Sequence, residues 1–144
     1  MSENKDMSSR GCDLDSEEEI NELMKRFYND VSQDETLGHF FNDVAHVNWD
    51  DHIHRIGQFW SKMLFGTGDY VGNPLEAHQK IHALEPFTNE HFRLWLEIFQ
   101  ENVDAGWEGP YAQEIKRKAV KIAVVQSRII TGEPLDLLIH IDEK

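Results

Sequence analysis

The chain has 144 residues, 40% of them apolar, and 27 acidic against 14 basic side chains give it a net charge of −13. That length buries enough surface for one domain without disulfides or a structural metal, and the single Cys12 cannot form an internal bridge. The acidic balance opposes nucleic acid and anionic lipid, no window approaches the ~20 consecutive apolar residues that cross a bilayer, and the N-terminus has no signal-peptide core, so a cytoplasmic protein with neither membrane nor nucleic-acid partner is expected.

Residues 1–15 are polar and without periodicity, and are predicted to be a disordered acidic tail. Ser16 to Glu19 then has the form of a capping box, with Ser16 accepting from the Glu19 backbone and Glu19 returning the bond. Ile20, Leu23, Met24, Phe27, Tyr28 and Val31 recur on one helical face, so Tyr28 points inward. Asp34 to His46 shows neither period and reads as a corner that turns one aromatic inward. Asn48 caps the next helix, whose stripe is His52, Ile56, Phe59, Trp60 and Met63. Gly66 to Asp69 ends it. Asn73-Pro74 opens a short helix that must stop before Pro86, and Thr88 caps a fourth helix with the stripe Phe92, Trp95, Leu96, Phe99 and Val103. Gly109-Pro110 opens the last helix, which Gly132 stops, with Ala112, Ile115, Ala119, Ile122, Ala123 and Ile130 inward. The fold class is all-α, in about five substantial helices over residues 16–131, with 132–144 an apolar extension that the pattern does not place.

Of eight histidines, His39, His46, His54, His91 and His140 sit in loops or on polar faces and are expected to be surface residues. His78 and His82 lie four apart on one helical face, as two ligands of a non-haem metal would, but no HExxH or CxxC supplies a third. Tyr28, His52 and Trp95 each carry a polar tip on an apolar stripe, and buried tips of that kind have partners. Either they bond to protein in a packed aromatic core, or they face a polar ligand, with Phe27, Phe41, Phe59, Trp60 and Phe99 as flat walls.

Several motifs in order go further: FYNDV at Phe27–Val31, LGHFFND at Leu37–Asp43, WDDHIHRIGQFWSKML at Trp49–Leu64, GDYVGNP at Gly68–Pro74, HALEPFTNEHFRLWLEIF at His82–Phe99 and NVDAGWEGPYAQEIKRKAVKIAVV from Asn102. Together they make the chain resemble a truncated haemoglobin, and in that family the third group. The resemblance implies a shortened globin fold, two helices over two around a haem b. Residues 16–131 would be the truncated globin domain. It implies Tyr28, His52 and Trp95 as the ligand-contacting distal residues, and Phe41, Phe59, Trp60 and Phe99 as cofactor-binding walls. The iron ligand it implies is His82, at thirteen residues before Trp95, with His78 of the Pro74–His78 run as the alternative. The expected ligands are dioxygen, nitric oxide or carbon monoxide, and an unidentified reductase is the expected partner. The implied use is nitric oxide detoxification or peroxide chemistry. A haem-based sensor or carrier, or a non-haem metalloprotein on His78 and His82, is the rival.

Overall fold

The structure, a computed structural model, describes residues 12–44, 48–67 and 74–132. Six α-helices account for most of these: α1 (Glu17–Gln33), α2 (Glu35–His39), α3 (Trp49–Phe65), α4 (Pro74–Leu84), α5 (Asn89–Gly106) and α6 (Pro110–Thr131). A π-helical turn, Phe40–Val44, continues α2, and there is no strand among the described residues. No helix of the described residues is long and apolar enough to cross a membrane.

The architecture is two helices over two. The pairs α1 with α3 and α5 with α6 are the most extensive, and α1 on α5 and α3 on α6 join them. Burial follows the sequence stripe on α1 without exception: Ile20, Leu23, Met24, Phe27, Tyr28 and Val31 are all buried. On α5 the stripe divides. Leu96, Phe99 and Val103 lie in the core, whereas Phe92 and Trp95 stay partly exposed because they turn toward a cavity. Met63, at the end of the α3 stripe, is 40% exposed and so lies outside the core that the stripe indicates.

The caps are built largely as the sequence indicates. Ser16 Oγ accepts from Glu19 N–H at 3.2 Å, and Asn48 Oδ1 accepts from Asp51 N–H at 3.0 Å. Gly66 takes the left-handed conformation, φ 75°, that ends α3. Two details differ. Glu19 does not return a bond to Ser16; its carboxylate accepts from the Trp107 indole N–H at 2.7 Å instead. The expected corner at Asp34 is a helix with its own cap, Asp34 Oδ1 accepting from Thr36 and Leu37 N–H at 2.9 Å each. At five residues α2 is too short for a periodicity to show. It packs tightly on α1: a Cβ on Gly38 would stand 2.7 Å from the Ser32 carbonyl oxygen.

Residues 12–15, which fall in the expected tail, are docked. Leu14 is fully buried in the core, and the Asp13 carboxylate accepts from Tyr111 N–H at 3.0 Å and Ala112 N–H at 2.8 Å, capping α6 where Gly109 has no side chain to do so. The rest of that tail, His46, Gly68 to Asn73, and the extension from Glu133 lie outside the described residues.

Candidate functional site

A cavity of about 250 Å³ opens where α1, α3, α5 and α6 diverge toward α4 and the π-helical turn. Its wall is mainly apolar: Phe40, Phe41, Ile56, Phe59, Trp60, Ile81, Phe87, Phe92 and Ile122 contribute, with polar tips at a few points. Such a lining with few placed polar groups is the usual make-up of a ligand site.

Tyr28, His52 and Trp95 meet on one side. Tyr28 and His52 touch edge to face at 4.8 Å between ring centres, and Phe41 closes on both, at 5.8 Å from Tyr28 and 5.4 Å from His52. Burial pushes the Tyr28 phenol well above its ordinary range, and a hydrogen bond with the Trp95 side chain offsets part of that. An indole N–H only donates, so Tyr28 Oη is the acceptor and keeps its own O–H to give. His52 is held down to about 4, by burial first and then by the positive field of Arg55 and the nearness of His78, against the opposing pull of Asp51. Its Nε2 is buried and has no hydrogen-bond partner. A buried nitrogen of this kind is costly unless something outside the protein completes it.

Phe41, Phe59 and Trp60 line the cavity, but Phe99 does not. It is fully buried behind them, stacked at 5.4 Å on Trp60 and at 5.4 Å on Trp95, and so braces the wall without forming it.

The two histidines of α4 separate. His78 is in the cavity wall, mostly buried, with Nδ1 2.5 Å from Gln126 Oε1 of α6, and burial lowers its tendency to protonate. His82 is not in the wall. It lies against Phe87, ring centres 6.1 Å apart and 27° from parallel, and its Nδ1 accepts from Phe87 N–H at 2.8 Å. A neutral imidazole has one N–H, so a histidine accepting at Nδ1 carries its proton on Nε2 and has no lone pair left for a metal. His82 thus terminates α4 by holding the backbone after Pro86. Among the described residues no group of three His, Cys, Asp or Glu side chains is placed to hold a metal ion, so His78 and His82 lack the further ligand that a non-haem site needs.

Among the polar wall residues, three escape sequence reasoning. His91 lines the cavity and accepts from Thr88 N–H at 2.9 Å through Nδ1, filling the reciprocal place of a capping box. Its position three residues after Thr88 was the available signal. Arg55, hydrogen-bonded to Asp51 at 3.2 Å, reaches the cavity from the polar side of the α3 stripe. Gln126 gave no signal beyond a polar residue one turn after Ala123. Of the remaining surface histidines, His39 Nε2 stands 3.1 Å from Glu85 Oε2, tying the end of α2 to the end of α4.

Comparison with known proteins agrees with this geometry. The family described as bacterial-like globin matches residues 13–127. The group 3 truncated hemoglobin ctb of Campylobacter jejuni subsp. jejuni serotype O:2 is 37% identical over 110 residues, 74% of this chain and 84% of that protein. The crystal structure of the group III truncated hemoglobin from Campylobacter jejuni superposes with a TM-score of 0.71 at 34% identity, covering 80% of this chain and 91% of that one. The chain belongs to the bacterial-like globin family, on the side of the group III truncated haemoglobins, and that membership implies haem binding.

Proposed function

We propose that the cavity holds haem b with His78 as its protein ligand, and that the protein binds dioxygen and related diatomic molecules on the Tyr28 side, either for reaction of held dioxygen with nitric oxide or for cleavage of peroxide. The observation that carries this is the pairing, across one cavity, of a wall histidine at His78 with the unpartnered buried Nε2 of His52. The donor set fits the group: an imidazole from His78, apolar faces, and the orphaned Nε2 of His52. Bound there, haem would be held by His78 and would supply an iron able to take up a diatomic molecule.

The chain supplies the rest. Tyr28 remains a neutral phenol throughout the physiological range, because burial raises it, and with its oxygen accepting from Trp95 it keeps its O–H to donate. His52 is neutral at the same pH and offers an uncharged edge. Phe41, Phe59 and Trp60 exclude bulk water, which strengthens each hydrogen bond made inside. Arg55 and His91, at polar points of the wall, are placed to meet the acidic edge of a porphyrin. Donors of this kind hold a polar diatomic ligand longer than an apolar pocket does, which favours chemistry on the held ligand over delivery. A separate reductase would return the electrons, and a cytoplasmic setting suits such a cycle.

The test is the absorption spectrum of the full chain purified with haem supplied. A haem band that shifts on reduction and again with carbon monoxide is expected, together with nitrate formed from nitric oxide under dioxygen. A chain that takes up no haem would sink the proposal.

A further inference from the structure

The inward stripe of α6 runs through Ala112, Ile115, Ala119 and Ala123, and one turn later the same face presents an amide, Gln126. That amide is 9% exposed, and burying one is costly unless it is bonded. Its Oε1 stands 2.5 Å from Nδ1 of His78, which comes from α4. An amide oxygen only accepts, so the His78 proton resides on Nδ1 and its Nε2 keeps a free lone pair, the reverse of the tautomer found at His82. The ring also meets Phe87 at 82°, centres 6.1 Å apart, so the imidazole is held both by an amide and by an aromatic neighbour.

We infer that Gln126 is the positioning residue for the iron ligand: resting on the haem reading above, its amide oxygen sets the tautomer and ring plane of His78 and strengthens Nε2 as an electron donor. An acceptor on the distant N–H of a metal-bound imidazole makes the bound nitrogen more basic. A neutral amide does so less than a carboxylate would and more than an apolar neighbour would, which places this chain between those limits. The residue that does this comes from a different helix from the ligand, so the contact that tunes His78 is also one of those that pack α4 on α6.

The experiment is resonance Raman spectroscopy of the ferrous, haem-loaded full chain, read at the iron–histidine stretch, with midpoint potentials on the same samples. Gln126→Leu keeps size and removes the acceptor; it is expected to lower the stretch and raise the potential. Gln126→Glu is expected to shift both the other way. An unmoved stretch and potential in Gln126→Leu would overturn the role of Gln126, and if that variant fails to hold haem, an unmoved pair in Gln126→Glu does the same. A parent that lacks the band, or His78→Gly that retains it, overturns the haem reading on His78 and this inference with it.

Discussion

The two ends of α1 solve the same problem in opposite ways. Near its start a buried indole, Trp107, gives its N–H to Glu19 at 2.7 Å, and the Arg26 guanidinium lies 4.8 Å over the ring. Leu14, Ile20 and Leu23, at the same end, are fully buried. Near its end Phe27 and Tyr28 also enter the core, but the polar tips around them find only one another, and His52 Nε2 finds nothing. The closed end is a finished core; the open end is the wall of a cavity. An orphaned atom alone does not mark such a place, since Ser61 Oγ is also buried without a partner and does not line the cavity. The orphan at His52 counts because a cavity and a second histidine lie before it.

Changes at the open end should therefore alter the ligand chemistry and spare the fold. The largest effect is expected from His78→Gly, which should lose the haem band on gel filtration, while His82→Ala should keep it, with α4 frayed at its end. Retention in the first and loss in the second would move the ligand back to His82. Phe99→Ala strikes the layer between the two ends, where the ring is fully buried between Trp60 and Trp95. It should cost about 3–5 kcal/mol in urea denaturation, a cavity effect and not a ligand effect.

Which parts of this division the sequence reveals can be argued residue by residue. The α1 stripe, the Ser16 and Asn48 caps and the inward turn of Tyr28, His52 and Trp95 follow from helical spacing, because each depends on neighbours within two turns. The choice between His78 and His82 does not, since it turns on where α4 docks after the Pro86 break and on a partner, Gln126, 48 residues away. Phe99 shows the same limit: periodicity puts it inward but cannot distinguish the wall of a cavity from the layer behind it. Glu19 was assigned a local bond by its spacing and makes a distant one, because a buried indole N–H needs an acceptor more than an exposed first turn does.

His52 gives the comparison a pH coordinate. Burial holds it down to about 4, whereas an unfolded histidine titrates near 6.5. The unfolded chain therefore binds more protons between those values, so the stability linked to neutral His52 is full above about pH 6.5 and is lost as pH falls toward about 4. Roughly 3 kcal/mol is at stake in the haem-free chain, and His52→Leu should flatten that part of the urea-midpoint profile. A profile equally steep in the variant would show that His52 is not the group concerned. Tyr28→Phe should remove about 1–3 kcal/mol from the held state of dioxygen, read by stopped flow as a dissociation rate raised roughly five- to hundredfold. At the closed end Ser16→Ala should cost only about 1 kcal/mol of stability through the lost cap and leave ligand rates untouched.

The cap on α6 has a consequence for how the chain holds together in time. The first turn of a helix is ordinarily where fraying begins, and its free N–H groups exchange with solvent long before the core opens. Here the acceptor for Ala112 N–H is Asp13, 99 residues earlier, anchored beside the fully buried Leu14. That acceptor is in place only when the chain has closed on itself from end to end. The start of α6 is therefore slow to exchange with the rest of the core, and the segment just before α1 acts as the clasp that keeps the helix bearing Gln126 from unwinding from its far end.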